Sequence, residues 1–337
     1  MKYKRLKRTL IKSKQKKCKY IDFFLKYIYF YISTLFIFIY LLKNYSYFYK
    51  SKNESVNNNF SSKSKVCLCS IGKKENLYAK EFVTHYKNLG YDHIFIYDNN
   101  DIGDEKINDV LEEELKSGFV SIVDIRGKEG NDVNSPQCYA FIDCYEKNNK
   151  NYDWLSFFDF DEFLDISPYS SNIKEFLESK RYENCAVIKI NFLFYSDSEL
   201  LHYDNRPLQE RFTTPLWRHG SNGVCKVTVR GGLSQNYWSI GCSPHTSKVK
   251  CKNCNASGKP ISYKTLGNSP PAFKYARIKH YYTKTVEEYI NKSKRGSAYT
   301  IVKWNKARKK MKMNLFFLYN KRTKEKVELL KQLFELT

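Results

Sequence analysis

Asp159-Phe160-Asp161-Glu162-Phe163 sets two carboxylates at positions i and i+2, directly after the apolar run Trp154-Leu155-Ser156-Phe157-Phe158. In a strand, side chains two apart point the same way, so Asp159 and Asp161 are expected to face one spot where the strand leaves its sheet. Two hard oxygen donors at one spot suit Mg²⁺ or Mn²⁺ better than Zn²⁺, and Mn²⁺ also accepts a histidine nitrogen. His280 and His245 are the candidates for that third ligand. The competing reading of an acidic pair is a solvated turn, and of a histidine in the run His280-Tyr281-Tyr282 a satisfied structural residue.

The elements that must hold the pair follow from the apolar pattern. Residues 66–71 read as a strand, and 75–89 have helical spacing at Leu77, Phe82, Tyr86 and Leu89, closed by Gly90. A strand at 93–98, a helix at 105–117 ending at Gly118, a strand at 119–125 and a helix at 136–147 follow, and then the strand that ends in the acidic pair. Such alternation calls for an α/β fold with a mostly parallel sheet covered by helices on both faces, its ligands bound outside the carboxyl ends of the strands. Asp98 ends the second strand, with Asn99 beside it, and belongs on the same edge, where a carboxylate can accept hydrogen bonds from a base or ribose. A turn role is the alternative, since Asp and Asn favour turns. Lys73, Lys74 and Glu75, in the first strand-to-helix loop, border the same cleft.

A length of 337 residues allows one domain of ~230 residues plus appendages. Residues 1–20 carry ten cationic side chains and no acid, and 21–42 form an almost continuous apolar and aromatic run, just sufficient to span a membrane if Asp22 and Lys26 lie near the interface. The excess of cations before the span over those after it holds the tail in the cytosol and sends the rest across, as a type II signal anchor. A cleaved signal peptide is the rival, but Lys43-Asn44-Tyr45 offers no small-residue cleavage site. Residues 43–65 are polar and aperiodic, a flexible stem, and Asn44, Asn53, Asn59, Asn255 and Asn291 stand in glycosylation acceptor patterns. The formal net charge of +23 invites a nucleic-acid partner. Much of it belongs to the N-terminal tail and the segment 303–326, and the core between them lacks a nucleic-acid-binding motif, which argues against that class.

Ten cysteines need a reading. The spacing Cys242-x2-His245-x5-Cys251-x2-Cys254 is zinc-like, but in an oxidising lumen a disulfide-tied loop is favoured. Cys67 and Cys69 read as small buried apolar residues of the first strand. Residues 299–337 form a basic C-terminal helical extension, with Val327, Leu330, Leu333 and Phe334 as an apolar stripe that either packs back on the domain or meets a partner.

Residues 66–298 are read as one domain, and about 66–296 of it resembles a GT-A-type glycosyltransferase, of the family 2-like and family 92-like group. The resemblance runs through Gly72-Lys73-Lys74-Glu75-Asn76, Leu89-Gly90-Tyr91-Asp92-His93-Ile94-Phe95-Ile96-Tyr97-Asp98-Asn99, and Asp159-Phe160-Asp161-Glu162-Phe163, which matches the group's metal-binding motif. Gln209-Glu210-Arg211-Phe212, the segment 225–230, Pro244-His245, the segment 280–289 and Lys294-Arg295-Gly296 resemble its later motifs. It implies a GT-A, nucleotide-diphospho-sugar transferase fold with a mixed, mostly parallel sheet. It also implies transfer of a hexose, galactose-like, from a nucleotide diphosphate sugar such as a UDP-sugar to a glycan hydroxyl, with inversion, in the Golgi or ER lumen.

In such chemistry Asp159 and Asp161 would hold the metal against the diphosphate leaving group, with Lys73, Glu75, Asp98, Asn99 and Asp159 toward the donor. An inverting enzyme needs a general base for the acceptor hydroxyl. Glu210, Asp197 and Asp204 are the carboxylates to weigh, and Glu210 is favoured, although it could instead pair with Arg211 or Arg230. The alternative from another class is a non-catalytic glycan-binding or scaffold protein on the same fold.

Overall fold

The computed structural model describes residues 64–127, 136–167, 169–233, 252–262, 270–295 and 306–335. The expected tail, membrane span and all but the end of the stem lie outside the described residues, as do His245, Cys242 and Cys251. Among the described residues no helix is long and apolar enough to cross a membrane.

Strand β1 (Val66–Gly72) is buried throughout, and its side chains alternate between two cores. Val66 and Leu68 join the core under helix α1 (Asn76–Asn88), while Cys67, Cys69 and Ile71 join the one under a helix at Pro136–Asn148. A strand buried on both faces reads as an unbroken apolar run, which is why the segment was legible. β2 (His93–Asp98) and β3 (Val120–Asp124) add to one side of β1 in parallel, and β4 (Trp154–Phe157) to the other. The expected helix at 105–117 is broken into a 3-10 turn, Ile107–Val110, and a short helix α2 (Glu112–Lys116). The Asp98 carboxylate accepts a bond from Ile107 N at 3.2 Å and so fixes where that turn begins. The helix Pro136–Asn148 is α3, α4 spans Ile173–Leu177 and α5 spans Leu208–Arg211.

Beyond β4 the sheet becomes mixed. β5 (Glu162–Asp165), β6 (Val187–Phe194), β7 (Cys225–Arg230) and β10 (Arg277–His280) complete the order β3-β2-β1-β4-β7-β6-β10-β5, with β8 (Asn253–Asn255) and β9 (Pro260–Ile261) attached through β6. β7 runs antiparallel to both β4 and β6, and β10 runs parallel to β6 but antiparallel to β5. The α/β expectation holds, and the parallel part is the half built from 66–157.

Among the described residues, two disulfides tie the layers: Cys69–Cys144 joins β1 to α3, and Cys185–Cys254 joins the approach to β6 to β8. Cys67 is a buried free thiol, as expected, whereas Cys69 is a bridge and not a lone apolar filler. Cys254, being bridged, is withdrawn from the zinc-like set. Asn255 is buried, and its side-chain Oδ1 accepts bonds from Ser257 N and Lys259 N, so this acceptor pattern is spent on a turn. The C-terminal extension packs back. α7 (Lys306–Tyr319) and α8 (Lys324–Leu333) bury Phe316, Leu330 and Phe334 against Val286, Tyr289 and Ile290 of α6 (Val286–Lys294).

His85 of α1 gives the fold a pH signature. Its Nε2 stands 2.9 Å from the Leu164 carbonyl oxygen, which only accepts, so that nitrogen carries the hydrogen. Burial, against the favourable pull of that bond, pushes its pKa from 6.5 down to about 4. The unfolded chain therefore binds more protons between those values, and the associated stability, complete above pH 6.5, is lost as the pH falls to about 4. His85→Asn is expected to flatten the fall of the thermal unfolding midpoint across that window; an unchanged slope would contradict the assignment.

Candidate active site

β4 ends at Phe157, and the chain turns before re-entering the sheet as β5, with Glu162 N donating to Asp159 O at 3.0 Å. Phe160 faces the core, stacked on Phe82 at 4.7 Å between ring centroids. Burying a side chain of that size contributes roughly 1.5–3 kcal/mol. With Phe160 anchored inward, Asp159 and Asp161 fall into one cleft of about 500 Å³. The expected alternation survives, carried by a turn and not by a strand end.

The antiparallel β5–β10 ladder sets His280 directly opposite Glu162, and opposed residues present their side chains on one face. Tyr281 N donates to Asp161 O at 2.9 Å and closes the arrangement. One oxygen each of Asp161 and Glu162 and one ring nitrogen of His280 lie within 4.8 Å of one another. His280 Nε2 is 3.7 Å from Asp161 Oδ1 and 3.9 Å from Glu162 Oε1, too far for hydrogen bonds, while its buried Nδ1 has no hydrogen-bond partner among the described residues. An imidazole so poorly satisfied, facing two carboxylate oxygens, fits a cation with oxygen and nitrogen ligands.

Cations hold the carboxylates in place. Lys226, wholly buried on β7, donates to Asp159 Oδ2 at 2.7 Å and stands 3.3 Å from Glu162 Oε2. Gln137 of α3 takes the other Asp159 oxygen at 2.9 Å. Lys292 near the end of α6 donates to Asp161 and to the Tyr282 carbonyl. Arg295 pairs with Glu75 at 2.5 Å and donates to the Lys73 and Lys74 carbonyls, which pins the first loop. α6 itself is fixed by a capping box between Thr285 and Glu288. Glu288 also receives Arg211 at 2.8 and 3.0 Å and the Tyr78 hydroxyl at 2.7 Å.

Burial works against the charged form of Asp161, but the Lys292 ammonium, with His280 and Lys284, overrides it and holds the carboxyl well below the usual carboxylate range. Glu162 goes the other way: burial, with Asp159 and Asp161 adding to it, pushes it up against the pull of Lys226. Burial also lowers His280, against Asp161, so the ring is neutral at pH 7 and keeps a lone pair for coordination.

Of the residues expected from sequence, Lys73, Glu75, Asn99, Asp159, Asp161 and His280 line this cleft. Asp98 does not: it is buried in a turn, accepting from Asn100 N at 3.0 Å, Asn100 Nδ2 at 2.8 Å and Ile107 N at 3.2 Å. Glu210, favoured as the general base, requires a correction of place. It is exposed and lines a separate hollow with Glu81 and His85, because Arg211 turns inward to Glu288 and leaves it outside. The other two candidates are also elsewhere, Asp197 paired with Lys326 at 2.7 Å and Asp204 with Arg206 at 2.7 Å. Sequence reasoning did not single out Glu162 of this cluster, nor Lys226, Lys292, Gln137, Lys312 and Tyr319 in and around the cleft. Lys226 left one signal, a lysine set between Cys225 and Val227 in a strand rich in apolar residues.

An α/β sheet whose strand ends gather carboxylates, cations and an imidazole around one cleft defines a site for a charged ligand. Residues 62–230 match the model of Glycosyltransferase family 92, and the chain belongs to that family. It is 24% identical over 142 residues to a glycosyltransferase family 92 protein of Ricinus communis; this is 41% of the chain, and the chain spans 24% of that relative's length. Among solved structures it is similar to the mannosyltransferase PcManGT from Pyrobaculum calidifontis in complex with GDP-Man and Mn2+, at 8% identity and TM-score 0.29, covering 43% of this chain and 42% of that one. It is also similar to S. aureus TarS 1-349 in complex with UDP, at 9% identity and TM-score 0.28, covering 39% and 36%.

Gly72 tests how the cluster is placed. A Cβ there would meet Ile107 Cδ1 and Phe160 Cε2, both at 2.9 Å, so one or both of these side chains must give way beside the turn that carries Asp159 and Asp161. Gly72→Ala is expected to cost about 1–3 kcal/mol in denaturant unfolding, the scale of overpacking. An unchanged unfolding free energy would show that the turn does not depend on this close approach.

Proposed function

We propose that this chain is a membrane-anchored, metal-dependent glycosyltransferase of GT-A type that moves a hexose, galactose-like, from a nucleotide diphosphate sugar to a glycan hydroxyl. The observation that carries the reading is the convergence of Asp161, Glu162 and neutral His280 in one cleft, with Lys73, Lys292 and Arg295 on its walls. Family membership supports the reaction class. A divalent cation, Mn²⁺ or Mg²⁺, held by Asp161, Glu162 and His280 would act as a Lewis acid on the diphosphate leaving group.

The remaining work falls to the chain's own groups. Lys73 and Lys292 meet the developing phosphate charge, and preorganised cations in a partly dry site stabilise it far better than water does. Asp159, with both oxygens held by Gln137 and Lys226, braces the turn that carries Asp161. Asn99 and Glu75 border the donor side. Phe194, Tyr282 and Tyr319 form an aromatic wall on which a sugar ring can rest, and Tyr319 and Lys312 bring α7 into the cleft. The residue 21–42 segment serves as the anchor, and the two disulfides support an oxidising compartment such as the Golgi or ER lumen for the folded part.

The test is metal-dependent turnover of nucleotide sugars by the whole chain. Release of UDP from a UDP-hexose is expected with Mn²⁺ and lost with chelator. Asp161→Asn is expected to lower it by roughly 100-fold or more, the scale of several kcal/mol of Lewis-acid stabilisation. Absence of donor binding with any divalent ion would overturn the enzyme reading and leave a glycan-binding protein on this fold.

A further inference from the structure

Glu75, Asp159, Asp161 and Glu162 face Lys226, Lys284, Lys292 and Arg295, and Lys73 and Lys312 also line the cleft. These carboxylates are already matched by cations. A divalent cation entering alone would add two uncompensated positive charges beside ammonium groups, and Coulomb repulsion grows in proportion to that charge. A diphosphate arriving with the metal restores the match.

One cation is placed to move. Lys226 is wholly buried between two carboxylates, and Arg295 is clamped by Glu75 and two carbonyls. Lys292 differs: its side chain is 23% exposed, it lines the cleft, and it holds Asp161 Oδ2, while Oδ1 of the same carboxylate faces His280. Its ammonium lies 4.5 Å from the centre of the Tyr282 ring, on a flexible four-carbon stem that swings at little cost.

We propose that Lys292 is a positioning residue that competes with the divalent cation for Asp161 and passes to the donor's phosphates when metal and nucleotide bind together. The two ligands then bind cooperatively, and by linkage each tightens the other by the same factor. This rests on the metal-dependent reading above.

The experiment measures Mn²⁺ affinity of the full chain by calorimetry and by the electron paramagnetic resonance signal of free Mn²⁺, with and without UDP. In the wild type, UDP is expected to tighten Mn²⁺ by about tenfold or more, within the usual range of coupling between sites. Lys292→Met is expected to tighten Mn²⁺ by about tenfold in the absence of UDP and to shrink the effect of UDP to about threefold or less. Lys292→Gln, which keeps hydrogen bonds to Asp161 and the Tyr282 carbonyl without charge, should behave as Lys292→Met does, and Lys292→Arg as the wild type. Unchanged or weaker Mn²⁺ binding in both uncharged variants, where Asp161→Asn still abolishes it, overturns the competition and leaves the metal reading standing. No Mn²⁺ binding by the wild type even with UDP overturns both.

Discussion

Asp161, Glu162 and Lys226 are all buried beside a buried, neutral His280, and none of the charged groups is tolerable there without opposite charges close by. Removing a carboxylate from water costs several kcal/mol, and only close opposite charges and hydrogen bonds offset it. The rest of the domain is arranged to keep that set of partners in register. The β5–β10 ladder fixes Glu162 against His280, and β7 brings Lys226 beneath them from an adjacent part of the sheet. α3 reaches Asp159 through Gln137 and is itself tied to β1 by Cys69–Cys144. α6 delivers Lys292 and Arg295 one turn apart, its start locked by Thr285, Glu288, Arg211 and Tyr78.

The same constraint explains why the cleft lies where two kinds of sheet meet. Parallel strands β1, β2 and β4 end on one edge and supply Lys73, Asn99 and the Asp159 turn. The mixed half supplies what parallel strands cannot, residues from segments far apart in the chain facing one another across antiparallel pairs. His280 and Glu162 lie 118 positions apart and are direct neighbours in the ladder. The C-terminal helices complete the wall: α7 adds Tyr319, stacked on His219, while Lys326 of α8 is buried on Asp197.

Legibility in the sequence followed the range of the interaction. Elements whose burial is local were plain: β1 through β4, α1 and α3 all fall within a residue or two of expectation. Asp159 and Asp161 were legible because Phe160, the apolar residue between them, is pulled inward and turns both toward the cleft. The helix at 105–117 was misjudged because periodicity carries no sign of Asp98 capturing Ile107 N. Glu210 was misplaced because its neighbour Arg211 finds a partner 77 residues away, which no local pattern announces. Lys226 and Lys292 became visible as site residues only once tertiary pairing set them on the carboxylates.

Diffraction at the manganese absorption edge, from crystals of the chain grown with Mn²⁺ and UDP, tests the central claim most directly. The account expects one anomalous peak bonded to Asp161, Glu162 and His280, with the diphosphate on its open side and Lys292 turned from Asp161 toward a phosphate oxygen. A peak away from these three side chains, or a diphosphate bound in the cleft with Lys292 still on Asp161 and no metal between them, would contradict it.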